Sequence, residues 1–208
     1  MVRAVVIGGL GIGIDTWSLV SLAAGISAVE AVNVRDRLRD HYRRRSSPGV
    51  RAKAYMDAGD LVPGTLGGEI VLDGVRRAGD GWILHDWPRK VEEAEFLAEH
   101  GQEPTVVIEP TLDESETMAR LGRRCLHCRS TMHVYYRLPA VPGVCGRCGG
   151  QLGQPHEVTV EEIRTHREAA AALTAHYRGR GRSVRAVSAL GEFDDVAARI
   201  AAIVSGST

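Results

Sequence analysis

All four cysteines of the chain lie in two Cys-x-x-Cys pairs, Cys125/Cys128 and Cys145/Cys148, with 16 residues between the pairs. Each pair can set two thiolates along one edge of a tetrahedron, and two pairs complete it. That is the chemistry of a structural zinc site, with every position taken by sulfur and none open to a substrate. Gly143, Gly146, Gly149 and Gly150 surround the second pair, and such residues permit the tight turn that aims backbone N–H groups at the sulfurs. A redox Cys-x-x-Cys would be a single pair near a helix start, and paired disulfides are unusual in a reducing cytosol. A second group with chemical potential is the run Gly8-Gly9-Leu10-Gly11-Ile12-Gly13. Backbone N–H groups of a glycine run that leads into a helix suit an anion such as phosphate.

The elements that must position these groups are legible from pattern. Arg3 to Ile7 is a short β-branched run of the buried parallel type, and a helix is expected from about Thr16. Strand, glycine loop and helix together form the opening of a P-loop fold. Further buried strands are expected at 28–34, 82–85, 105–109 and 184–187. Helices are expected at 35–43, 50–58, 65–77, 91–99, 114–121, 160–177 and 193–203. Five strands alternating with helices imply an α/β fold with a parallel, doubly wound sheet. The Pro- and Gly-rich stretch from Cys125 to Pro155 interrupts that alternation and reads as a small subdomain.

Bulk composition excludes several classes. Lys plus Arg and Asp plus Glu number 26 each, so no net field favours nucleic acid or a membrane surface. Basic runs at 35–45 and 178–185 are read first as solvated faces, with anion binding as the alternative. No apolar stretch approaches the roughly 20 residues of a membrane span, and no signal-type cleavage site follows the apolar N-terminal run. A cytoplasmic protein is expected, with its oligomeric state left open.

Several motifs together carry a family resemblance. They are Cys125 to Leu152, with Met132-His133-Val134, Pro139 and Val141-x-Gly143-Val144-Cys145 in register; Ala54-Tyr55-Met56-Asp57-Ala58-Gly59-Asp60-Leu61-Val62-Pro63; Trp87-Pro88-Arg89; and Arg35-Asp36-Arg37-Leu38-Arg39. In these the chain resembles the zinc-lid bacterial adenylate kinases from Val5 to Ile203. The resemblance implies a P-loop core of residues 1–33, 64–122 and 159–208. It also implies a monophosphate-binding arm at 34–63 and a zinc-binding lid at 123–158, both closing over ATP, magnesium and AMP. It further implies that Gly8, Gly11, Gly13, Thr16, Arg39, Arg89, Glu93 and Arg123 face the ligand.

The sequence also departs from that family. Ile14 stands where the loop's lysine belongs, and Asp15 adds a carboxylate at the helix start, where it is equally a good cap. His85 and Asp86 replace the Asp-Gly that precedes the aromatic-Pro-Arg motif, Pro155 replaces a lid-exit arginine, and Glu93 replaces a glutamine. A second lid-side arginine falls near His166 or Arg167. Phosphoryl transfer depends on placed positive charge, so these changes lead to three expectations. ATP and magnesium are not expected as required ligands. ATP:AMP phosphotransfer is expected to be lost. The cleft is expected to serve a repurposed enzyme, with His85, Asp86 and Asp15 in acid–base chemistry on a nucleotide or other small anion held by Arg39 and Arg89. A non-catalytic pseudokinase is the alternative, and a slow nucleoside monophosphate kinase the second alternative.

Overall fold

The structure is a computed structural model that describes residues 2–8, 16–58, 60, 62–119, 123–128, 131–132, 140–155 and 160–206. In chain order the elements begin with β1 (Arg3–Val6), α1 (Thr16–Ile26), β2 (Glu30–Asn33), α2 (Val34–Arg43), α3 (Ser47–Ala58) and α4 (Gly64–Arg77). They continue with β3 (Trp82–His85), α5 (Val91–Glu99), β4 (Val106–Thr111), α6 (Glu114–Ala119), β5 (Arg123–Cys125) and β6 (Thr131–Met132). The last are β7 (Leu152–Pro155), α7 (Val160–Gly179), β8 (Ser183–Ser188) and α8 (Phe193–Val204).

Five strands form one parallel sheet in the order β2-β3-β1-β4-β8. Its central strands are apolar on both faces because both faces are covered. Along β1, Ala4 and Val6 turn to one side with Leu19, Val20 and Ala23 of α1 and Val196, Ile200 and Val204 of α8. Val5 and Ile7 turn to the other, with Val71 and Val75 of α4, Leu97 of α5, and Leu173 and Tyr177 of α7. The period of two repeats in β3, where Ile83 joins the first cluster and Trp82 and Leu84 the second. Each fully buried side chain of this kind contributes about 1.5–3 kcal/mol.

The strand order fixes where a ligand can sit. The chain leaves β1 for α1 on one face and leaves β3 for α5 on the other, so a crevice opens at the carboxyl ends of these neighbours. Register places Val6 opposite His85 and Asn33 opposite His85, so the ends of β1, β2 and β3 share that edge.

The α2–α3 pair is built for close approach. A Cβ on Gly49 would lie 2.3 Å from the backbone carbonyl of His41, so only glycine lets α3 cross α2 there. α2 is started by Asn33, whose Oδ1 accepts from the N–H groups of Arg35 (2.9 Å) and Asp36 (3.3 Å), a cap worth about 1 kcal/mol. It is tied to α4 through the buried His41 ring, which spans Ser46 Oγ at 2.8 Å and Asp73 Oδ2 at 3.0 Å. Arg77 and Arg44 complete the cluster on Asp73 at 3.0 and 3.5 Å.

The two basic runs are largely neutralised from within. Arg37 pairs with Glu30, Arg39 with Asp36, Arg44 with Asp40, and Arg180 and Arg182 with Glu103. No helix among the described residues is long and apolar enough to cross a membrane.

The segment expected to interrupt the alternation forms its own antiparallel sheet, in the order β6-β5-β7, with an isolated bridge between Val144 and Gln151.

Candidate functional site

The four cysteines converge. Sγ atoms of Cys125 and Cys148 are 3.6 Å apart and those of Cys128 and Cys145 are 3.7 Å apart, and all four lie within 4.8 Å of one another. A tetrahedron with Zn–S bonds of about 2.3 Å has edges of about 3.8 Å, so the cluster fits one zinc ion. The Cys128 N–H points at the Cys125 sulfur (3.5 Å) and the Arg147 N–H at the Cys145 sulfur (3.4 Å). The first of these holds the Cys125 thiol below its ordinary range, which favours the ligating thiolate. A Cβ on Gly150 would come within 3.3 Å of both the Cys125 and Cys148 sulfurs and 2.9 Å of His127 Cβ, so glycine closes this turn for lack of space. Arg123 opens β5 and faces Met132 and Pro155 in register.

At the sheet's carboxyl edge, β3 ends on His85, whose Nδ1 is 3.5 Å from Asn33 Nδ2. Asp86 follows in a left-handed conformation, φ 67°, and the Trp87–Pro88 bond is cis. That turn swings Arg89 back over Asp86: its Nε donates to the Asp86 carbonyl at 3.0 Å and lies 3.7 Å from Oδ1. The other carboxylate oxygen of Asp86 is 3.4 Å from Arg35 Nε. Glu93, in the first turn of α5, accepts the Arg89 N–H at 2.7 Å and so fixes the turn from the far side. Arg39 lies one helical turn beyond Arg35 on α2 and pairs with Asp36 at 3.2 Å. Arg35 and Arg89 therefore flank Asp86 at this end of the crevice.

A second cleft, of about 320 Å³, lies where β1 and β4 meet α7. Gly8, with φ 77°, Glu109, Thr111, His166, Arg167 and Ala170 line it. Arg167 Nη2 donates to the carbonyl of Leu112 at 3.3 Å. Thr16 is the first residue of α1. Asp15, Gly11 and Gly13 lie outside the described residues, as do His133, Tyr135 and Tyr136.

Two neighbours of the crevice escaped the sequence reading. Asn33 both caps α2 and touches His85. Its signal was the Asn-Val-Arg-Asp string, a cap followed by an acidic first turn. Arg35 stands four residues before Arg39, a spacing that puts both on one helix face.

The expectation of a cleft repurposed for acid–base chemistry at His85 and Asp86 needs correction by relationship. The Asp86 carboxylate is directed at Arg35 and Arg89, and Glu93 is directed at the Arg89 backbone. No family model matches the chain, but individual relatives do. It is 36% identical to a protein of Acidothermus cellulolyticus named adenylate kinase, over 96% of each chain. A Salinispora tropica protein of the same name is 33% identical over 95% of each. One from Thermococcus kodakarensis is 32% identical over 72% of this chain and 71% of its own. These relatives overturn the expectation that phosphotransfer has been lost and the cleft repurposed, since similarity to proteins named for that activity runs from end to end. With the parallel sheet and the four-sulfur cluster, the conclusion is that this chain belongs to the adenylate kinase family.

Proposed function

We propose that the protein transfers a phosphoryl group from a nucleoside triphosphate, taken as its magnesium complex, to a nucleoside monophosphate, with ATP and AMP as the pair. The observation that carries this reading is similarity along 96% of the chain to a protein named adenylate kinase. It replaces the earlier expectation that ATP and magnesium are dispensable. In this reading Gly8, Gly11, Gly13 and Thr16 cradle the donor phosphates with backbone N–H groups, and Arg123 and Arg167 approach them from the lid side. Arg39 and Arg89 hold the acceptor phosphate, which a planar guanidinium can grip through two parallel bonds. Glu93 keeps Arg89 in position through its backbone N–H.

Residues 34–63 act as the acceptor arm and 123–158 as the lid. They close on a core of 1–33, 64–122 and 159–208 and exclude water during transfer. The loop is a degenerate form of the phosphate loop, with Ile14 at the lysine position. The charge that lysine would supply comes from the arginines and the substrate's own magnesium, because the transition state responds to summed, placed charge.

The test is ADP formation from AMP and magnesium ATP by the zinc-loaded protein, beside an Arg89→Ala variant purified identically. Turnover by the wild type, reduced in the variant about 10- to 100-fold as for loss of a charge-assisted bond, is the expected result. Equal background in both would overturn the proposal.

A further inference from the structure

The turn after β3 carries an anomaly that phosphoryl transfer does not use. Asp86 occupies the left-handed region at φ 67°, which glycine favours and which Asn and Asp enter more readily than other L residues. Its side chain is 25% exposed and sits between Arg35 and Arg89, which are 76% and 60% exposed. One carboxylate oxygen is 3.4 Å from Arg35 Nε, the other 3.7 Å from Arg89 Nε. The Arg89 Nε is also committed to the Asp86 carbonyl at 3.0 Å. The Nη edge of Arg89 has no protein partner among the described residues. An anion gripped by that edge would share one guanidinium with a fixed carboxylate, two like charges a few ångströms apart in a half-solvated site.

We infer that Asp86 sets the affinity and charge selectivity of the acceptor end: its carboxylate is a built-in counter-ion with which an incoming phosphate must share Arg35 and Arg89. The inference rests on the reading that Arg89 holds the acceptor phosphate. It carries a signature that a merely structural role lacks. A dianionic ligand meets the full penalty of the carboxylate, and a neutral one of the same shape meets almost none. Asp86 therefore weakens the binding of a nucleoside monophosphate while leaving that of the corresponding nucleoside unchanged.

The experiment is calorimetric titration of the zinc-loaded protein with AMP and, separately, with adenosine. The variants are Asp86→Asn, Asp86→Gly and Arg89→Ala. Asparagine tolerates the left-handed region well and removes only the charge; Asp86→Gly relaxes the backbone too and serves if Asp86→Asn folds poorly. The expected result is AMP binding tightened about tenfold in both Asp86 variants, the scale of one like-charge contact, with adenosine within about twofold of wild type. AMP affinity unchanged or weakened in the Asp86 variants, with Arg89→Ala still costing affinity, would overturn the inference and leave the acceptor site standing. No AMP binding by wild type, or binding indifferent to Arg89→Ala, would overturn both.

Discussion

Arg89 shows how much of the site hangs on one residue's surroundings. Its backbone N–H is taken by Glu93, its Nε by the Asp86 carbonyl, and its neighbour in charge is Arg35. The cysteine cluster was legible from the sequence because its paired spacing fixes its meaning, whereas Arg39 and Arg89 were singled out through the family resemblance. Arg35's part was not legible, since it depends on a left-handed Asp86 that no local pattern announces. Ile14 taught the opposite lesson: together with Asp15, His85, Asp86, Pro155 and Glu93 it was read as loss of activity, although catalysis by placed charge draws on a larger set of residues. The residue-scale prediction follows from that. Ile14→Lys restores the usual cation of the loop, with Asp15 beside it to offset part of the gain. It should raise kcat for ADP formation about tenfold, below the 10²–10³ typical of one preorganised donor. Steady-state kinetics with saturating nucleotides measure it, and an unchanged or lower kcat would mean that this position does not face the donor phosphates.

At the scale of elements, most of the architecture was readable because strands buried on both faces are compact β-branched runs, and helices show their own period. The misplaced boundaries each have a local cause. Ala28 was expected in a strand but takes φ 55° in the turn that ends α1, with the Val29 N–H bonded to the Ala24 carbonyl. α3 begins at Ser47, three residues early, because Pro48 fits the first helical turn, where no donor is needed. β4 runs on through Pro110 because by that point it pairs only with β8 and the ladder asks for no N–H on the other side.

The joint between α2 and α4 gives this scale its prediction. Partial burial pushes the Asp73 carboxyl upward, but bonds and charge from Arg77, the charge of His41 and a bond from Arg44 outweigh it and hold it below the usual 3.8. With the folded value depressed, the unfolded chain takes up the proton first. The stabilisation is therefore whole above pH 3.8 and is lost as pH falls through the lower folded value. Asp73→Asn should cost about 1–3 kcal/mol at pH 7, and the gap to wild type should narrow as pH drops below 3.8. Urea unfolding at several pH values measures this; a gap independent of pH would remove the carboxylate from the joint.

For the whole molecule, the metal and the sheet are separate sources of order. Cys125, Cys145 and Leu152, with Cys128 packed against them, form their own small buried cluster, apart from the two large clusters that sandwich the parallel sheet. One zinc per chain is expected by elemental analysis. Stripping it with a chelator should expose the segment around Cys125 and Cys145 to proteolysis and leave the cooperative unfolding of the core in place. Loss of the core transition along with the metal would contradict that division. The family was legible from end to end because its motifs are scattered along the chain. Activity was misjudged because it was inferred from a few altered ligands and not from the whole set.

The central claim is reversible phosphoryl transfer between two nucleotides, and feeding ADP alone tests it most directly. ³¹P NMR of the zinc-loaded protein with magnesium and ADP should show ATP and AMP growing in equal amounts, much more slowly with Arg89→Ala. ADP that persists unchanged, or that gives AMP and inorganic phosphate without ATP, would contradict it.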